Sequence, residues 1–277
     1  MQHSQGSFTN HQGVVIFTQK WLPDQPPKAG ILLVHGLCEH SGRYQHVASD
    51  LVARGYAVFA VDHPGHGQSG GTRAYVKRFS DFLETLSHYN QSIRETYPKL
   101  SFFLYGHSMG GLISLHFLAQ YQRAFRGAVL SAAPVSVPSH VSGFVIFLGR
   151  ILSRLLPKVR LAPLDSSGIS RDPEVVKAYD TDPLVFRGKA TARLAGEMMT
   201  AIKGAGEAAG RITLPALVLQ GMADPIVEPG DGALLFQLLV STDKSLREYP
   251  GLFHEVHNEP EQQQVLHDVG TWLDAHL

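Results

Sequence analysis

Short strand-like runs recur along the chain at 14–21, 31–35, 56–62, 101–105, 128–131, 216–220 and 245–249. Several are apolar on both faces of a strand, as in Ile31-Leu-Leu-Val34 and Ala216-Leu-Val-Leu219, which is the pattern of strands buried inside a parallel sheet. Between most of them apolar residues fall at helical spacing, at about 44–54, 81–97, 109–121, 230–240 and 262–276. This alternation predicts an α/β fold with a mostly parallel central sheet flanked by helices on both sides. The rhythm breaks from Pro134 to about Gly210, where prolines and aliphatic stretches replace any convincing central strand. Open α/β sheets form their sites at the carboxyl edge, so this stretch is expected to lie over that edge as a mainly helical cap. The expected organisation is one domain over 1–277, with the cap inserted at approximately 134–210.

One junction in this pattern carries chemistry. The apolar run ending in Tyr105 leads into Gly106-His-Ser-Met-Gly110, and an amphipathic helix with Leu112, Leu115 and Leu118 follows. With 27 glycines in 277 residues, random placement yields on the order of 0.2 G-x-S-x-G matches, so the context decides. A strand-turn-helix context makes this a nucleophile elbow, in which the glycines relieve collisions in the sharp turn and Ser108 projects beside a helix N-terminus. A second glycine pattern, Gly65-His-Gly-Gln-Ser-Gly70, fits G-x-G-x-x-G but has no helix opening on its third glycine, and it reads as a turn.

A serine hydroxyl needs a base, and the base needs a carboxylate to hold its tautomer. Asp224 follows the buried-type strand Ala216-Leu-Val-Leu-Gln220, with Pro225 stiffening its turn. His254 follows the last strand and precedes the last helix, and His257 is its rival as base. The order Ser108, Asp224, His254 is that of the α/β-hydrolase fold. Two backbone N–H groups should hold the oxyanion, one from Met109 and one from Leu37 in the loop after the strand ending at Val34. Cys38, beside that loop, is expected to be a small buried hydrophobe.

Composition narrows the remaining choices. Lys plus Arg and Asp plus Glu are each 24, so no overall field draws the chain to nucleic acid. A single cysteine forms no intrachain disulfide. The histidines His35, His40, His46, His63 and His66 match no metal-ligand spacing, and neither metal nor cofactor is expected. The first residues lack an apolar signal core, and the apolar stretch 143–152 is well short of the roughly 18 residues of a membrane span. A cytoplasmic location is expected, with peripheral contact on membranes allowed.

Together, His35-Gly-Leu-Cys-Glu-His-Ser-Gly-Arg-Tyr44, Gly65-His-Gly-Gln-Ser69, Gly106-His-Ser-Met-Gly-Gly111, Pro163-Leu-Asp-Ser-Ser167, Asp180-Thr-Asp-Pro-Leu184 and Phe253-His-Glu-Val-His-Asn-Glu259 resemble the monoacylglycerol lipases. The resemblance implies Ser108, Asp224 and His254 as a triad, the amides of Leu37 and Met109 as the oxyanion hole, and a monoacylglycerol substrate. It further implies a polar exit near the glycerol at Glu39, Arg43, Tyr179 and His257, although Glu39 and Arg43, four apart, also fit a surface ion pair worth less than about 1 kcal/mol. Cys38 stands where animal members usually have glycine, and 135–160 carries no family motif. A lysophospholipase or general carboxylesterase would use the same catalytic parts, and a ligand-sensing module could keep the fold without turnover. A dehalogenase or epoxide hydrolase would place aspartate at the elbow.

The stretch without a motif still has a pattern. As a helix over 139–156, it would gather Val141, Phe144, Val145, Leu148, Leu152, Leu155 and Leu156 into one stripe, with Ile146, Phe147 and Ile151 outside it. Arg150, Arg154, Lys158 and Arg160 edge this apolar surface, a combination suited to a bilayer or micelle.

Overall fold

The computed structural model describes residues 1–137, 143–161 and 165–277, with residues 143–147 and 150 described by backbone alone. Eight strands form one sheet: β1 (Gln2–Thr9), β2 (Val15–Leu22), β3 (Ala29–Val34), β4 (Tyr56–Val61), β5 (Phe102–His107), β6 (Gly127–Ser131), β7 (Ala216–Gly221) and β8 (Lys244–Tyr249). Their order across the sheet is β1-β2-β4-β3-β5-β6-β7-β8. Pairings β1–β2 and β2–β4 are antiparallel, and all others are parallel. The expected mostly parallel sheet is therefore present. Strands β3 to β7 are buried along their whole length because helices cover both faces. One face packs against α2 (Ser80–Thr96), α3 (Met109–Tyr121) and α7 (Asp231–Leu238), and the other against α1 (Gln45–Ala53) and α8 (Gln262–Ala275).

Strand β1 has no hydrophobic signature, and sequence patterning misses it. It is an edge strand in water on nearly every residue, so its register with β2, from Gln2 opposite Leu22 to Thr9 opposite Val15, rests on backbone pairing with help from a few side chains such as His3, stacked on Trp21. The connecting turn is fixed by the Asn10 side chain, whose Oδ1 accepts from the N–H groups of Gln12 and Val14, both at 3.0 Å.

Among the described residues between β6 and β7 lie three helices, α4 (Gly143–Leu155), α5 (Pro173–Thr181) and α6 (Ala192–Ala209). Asp172 and Thr191 cap α5 and α6 by accepting from the N–H groups of Glu174 and Leu194. Helix α6 packs on α3, and α4 packs on α6. The apolar stripe anticipated on α4 is not its packed side where side chains are described. Leu148 is 47% exposed, Leu155 74% and Leu156 55%, whereas Ser153 is buried and meets α6 at Gly196, where small side chains permit close approach. Val141 and the rest of 139–142 lie outside the described residues, as do the side chains of Phe144, Val145, Ile146, Phe147 and Arg150.

Candidate active site

Strand order turns in opposite directions from neighbouring strands at the centre of the sheet: β3 leads to β4 on one side, and β5 leads to β6 on the other. A crevice opens at the carboxyl ends of β3 and β5 for that reason. The register pairs Val34 with Gly106, so the loop containing Leu37 and the turn containing Ser108 emerge side by side.

Ser108 alone separates β5 from α3, and it takes φ 54° and ψ −123°, a strained conformation for a residue with a side chain. The turn is possible because of its glycines. A Cβ at Gly110 would fall on the carbonyl oxygens of Val34 and His35, and one at Gly106 would fall on Ser114 Oγ and within 2.6 Å of the Gly110 carbonyl oxygen. Neither clash is with the end of a flexible side chain alone, so the backbone itself would have to move. The Ser108 N–H donates to the Ser131 carbonyl at 2.9 Å, tying the elbow to β6.

Ser108 Oγ lies 2.8 Å from His254 Nε2, and His254 Nδ1 lies 2.8 Å from Asp224 Oδ2. The three residues come from the ends of β5, β7 and β8, far apart in sequence. Asp224 is held from its other side, where Oδ1 accepts from the N–H groups of Ile226 at 2.8 Å and Val227 at 3.0 Å. Gln220 Nε2 donates to Oδ2 at 3.2 Å. Burial works against the charged carboxylate, but the His254 ring and these donors outweigh it and hold Asp224 below its usual range. The same balance operates at His254: burial favours the neutral ring, yet the Asp224 charge and hydrogen bond hold its pKa above the ordinary 6.5.

Above Ser108 is a cavity lined mostly by apolar side chains, including Leu37, Ile169, Met198, Ile202, Ile226 and Val227. Leu37 is thus on the cavity wall with Ser108 and His254, and Met109, the first residue of α3, is buried next to Ser108. The loop before Leu37 is clamped by a histidine network. His35 Nδ1 donates to the Gly36 carbonyl at 2.8 Å, and the His63 N–H donates to His35 Nε2 at 2.9 Å. Burial first, and then neighbouring histidines, pushes His35 well below 6.5 and His63 to about 3, and burial pushes His66 to about 4. They are buried neutral structure. Among the described residues, the one group with potential metal-ligand geometry is His11, Asp81 and Glu84, where Arg78 already pairs with both carboxylates.

Glu39, Arg43, Tyr179 and His257 divide into wall and support. Glu39 and Tyr179 line the cavity. Arg43 stands behind them, its guanidinium 4.6 Å from the Tyr179 ring centroid. It donates to Glu39 Oε2 at 2.6 Å and to both Glu255 oxygens at 2.5 and 2.7 Å. This is no surface pair: the side chains of Glu39, Arg43 and Glu255 are 3%, 9% and 4% exposed. Burial and the second carboxylate hold Glu39 above its usual range against the pull of Arg43, whereas at Glu255 the bidentate grip of Arg43 overcomes burial and holds the carboxyl at about 2. His257 is not on the cavity wall, and it is His254 whose ring meets Ser108. It is buried against Tyr44 and His107, with ring centroids at 4.9 and 4.8 Å, and burial leaves it neutral. Cys38 is buried, with its thiol pushed up to about 12 by burial.

Sequence reasoning passed over Glu255, although a charged residue beside a buried histidine needs a partner. It also passed over His107, whose ring lies 4.8 Å from that of His254 and which burial pushes down to about 3.

A family model described as Serine aminopeptidase, S33, matches residues 25–261. The monoacylglycerol lipase of Mycolicibacterium smegmatis is 39% identical over 274 residues, spanning 99% of this chain and 98% of that protein. The monoglyceride lipase of Homo sapiens is 37% identical over 267 residues, or 95% of this chain and 88% of its own length. Among solved structures, the monoacylglycerol lipase of Paleococcus ferrophilus superposes with a TM-score of 0.85 at 31% identity, covering 95% of this chain and 99% of that one.

Proposed function

Because the chain belongs to the S33 serine aminopeptidase family and, within it, to the monoacylglycerol lipases, we propose that it hydrolyses monoacylglycerols to a free fatty acid and glycerol through an acyl-enzyme on Ser108. The observation that carries the mechanism is the continuous relay from Asp224 through His254 to Ser108, at 2.8 Å for each link, beneath a largely apolar cavity.

In this reading His254 Nε2 takes the Ser108 Oγ proton as the oxygen attacks the ester carbonyl, and the N–H groups of Leu37 and Met109 receive the oxyanion. His254 then gives that proton to the departing glycerol oxygen. A water deprotonated by the same ring attacks the acyl-enzyme, releasing the fatty acid and restoring Ser108. Asp224 stays ionised, fixes the Nδ1–H tautomer and stabilises the imidazolium. The apolar wall of Ile169, Met198 and Ile202 suits an acyl chain, and Glu39 with Tyr179 offers polar atoms to the glycerol.

Among the described residues no helix is long and apolar enough to cross a membrane. The exposed Leu148, Ile151, Leu155, Leu156 and Val159, flanked by exposed Arg154, Lys158 and Arg160, support one-sided contact of α4 with a bilayer or micelle.

The test is fatty-acid release from monooleoylglycerol, dioleoylglycerol, trioleoylglycerol and lysophosphatidylcholine side by side, with Ser108→Ala as the blank. The monoacylglycerol should be preferred, and Ser108→Ala should lose about ten-thousandfold or more. Equal rates on the lysophospholipid would replace the substrate assignment, and turnover that survives Ser108→Ala would remove the mechanism.

A further inference from the structure

The loop that carries His254 is gripped from behind by a wholly buried carboxylate, Glu259. Its Oε1 accepts from the N–H of Phe253, the residue before His254, at 2.7 Å. Both oxygens accept from the Arg171 N–H at 3.3 Å, and Oε2 accepts from Arg171 Nε at 3.1 Å. Arg171 belongs to the segment inserted between β6 and β7. That segment runs along the loop on either side of the knot. The Glu255 N–H donates to the Ile169 carbonyl at 2.8 Å, and Ser170 Oγ donates to the Asn258 carbonyl at 3.0 Å. Ile169 itself lines the cavity. One carboxylate therefore receives the backbone just before the base and both the backbone and guanidinium of the inserted segment.

The geometry points to Glu259 as a positioning residue that holds His254 between Asp224 and Ser108, with Arg171 making that hold depend on how the inserted segment is seated. The assignment rests on Ser108, Asp224 and His254 acting as proposed above. A buried carboxylate with this many donors cannot be replaced without leaving N–H groups unpaired, so the Phe253 peptide would move. The ring one residue later has two 2.8 Å contacts to keep. Misplacement by about 1 Å costs on the order of 100-fold in rate.

Glu259→Gln is the informative change, because its amide oxygen can still receive the Phe253 N–H while its NH2 would face the Arg171 donors. Glu259→Asp and Arg171→Ala accompany it. For each, kcat and KM on a water-soluble butyrate ester, the pH dependence of kcat/KM, the rate of Ser108 labelling by a fluorophosphonate, and Tm are measured. The groups that face His254 are Asp224, Glu255 and Glu39, with neutral His107 and His257 packed nearby. None of these is altered by the substitutions, and Glu259→Asp also keeps the charge at 259, so a moved acid limb in that variant reports a moved ring. Glu259→Gln should lower kcat about 10- to 100-fold with KM nearly unchanged. Its acid limb should move to lower pH as the Asp224 contact loosens, and labelling should slow in parallel. Arg171→Ala should do the same to a smaller extent. A fall in Tm with kcat, acid limb and labelling rate all as in wild type would overturn the assignment. Should Glu259→Gln fail to fold, Arg171→Ala decides by the same criteria. Wild-type protein that is not labelled at Ser108 would overturn the reading of the triad itself, and this assignment with it.

Discussion

At the floor of the cavity, Ser108 is placed by steric necessity, between two glycines: a Cβ at Gly110 would strike the Val34 and His35 carbonyl oxygens, and one at Gly106 would strike Ser114 and the Gly110 carbonyl oxygen in the first turns of α3. The segment that closes over this floor is attached differently. The Phe186 N–H donates to the Cys38 carbonyl at 2.8 Å, His40 Nε2 donates to Asp182 at 2.9 Å, Thr191 Oγ1 donates to the Ala74 carbonyl at 2.7 Å, and Tyr179 rests on Arg43. The floor has one arrangement that its backbone permits, whereas the roof is joined by the apolar packing of α6 on α3 and, around its rim, by polar contacts that can be broken one at a time. Chemistry should therefore fail when the floor is altered and be graded when the roof is altered.

The largest effect belongs to the relay. Asp224→Asn preserves shape but removes the charge that holds the His254 tautomer, and kcat should fall about ten-thousandfold. In wild type the ring must be neutral to act as base, and its pKa is raised, so the acid limb of kcat/KM should have its midpoint above 6.5. The residual activity of Asp224→Asn should show that midpoint displaced downward, and an undisplaced limb would show that the wild-type limb belongs to another group. Gly110→Ala comes next, because the clash is backbone on backbone. It should cost about 3 kcal/mol or more in urea unfolding and abolish fluorophosphonate labelling; a stable, labelled variant would mean the floor can yield after all.

A third prediction concerns stability with no substitution. His35, His63, His66, His107 and His257 all have pKa values below the ordinary 6.5, chiefly through burial, and all belong to the floor. Below 6.5 the unfolded chain binds protons that the folded chain refuses until about 4 for His66 and about 3 for His63 and His107. Stability should therefore fall as pH drops below 6.5, with each ring contributing up to about 1.4 kcal/mol per pH unit. His254 has the opposite sign, since its raised pKa stabilises the fold below 6.5 and that contribution fades as pH rises through the folded value. Urea midpoints measured from pH 7.5 to 5 that stay level would show that these rings titrate normally.

The same contrast explains what was legible in the sequence. The elbow lies within one continuous stretch, where strand period, glycine spacing and helix period agree, so Ser108 could be picked out from local pattern. Asp224 and His254 were legible through chain order, each following a strand-like run, of which only the one before Asp224 is mostly apolar. Strand β1 was not legible, because an edge strand in water needs no hydrophobic period. Glu39 and Arg43 were legible as neighbours on a turn, but not as a buried clamp, because Glu255, 212 residues away from Arg43, completes it. His257 was drawn to the site by its nearness to His254 in sequence, and the turn at 256–258 sends it against Tyr44 instead. On α4, period gathered the apolar stripe but could not say which side packs; the contact of Ser153 with Gly196 decides that.

The smallest expected effect is on the roof, where it separates access from chemistry. Leu148 and Leu155 are exposed on α4 and Leu156 just after it, so replacing them with serine removes apolar surface from water without opening a cavity, and Tm should change little. If this surface meets lipid, Leu155→Ser together with Leu156→Ser should lower turnover of monooleoylglycerol in micelles or vesicles several-fold and reduce flotation with liposomes. Hydrolysis of a soluble butyrate ester, which needs the floor alone, should be unchanged. Equal loss on both substrates would mean that these residues act on the relay, and would erase the distinction between floor and roof. No loss on either would assign the lipid contact to another surface. Loss confined to the lipid substrate would place α4 in delivering the acyl chain and leave bond cleavage to the floor.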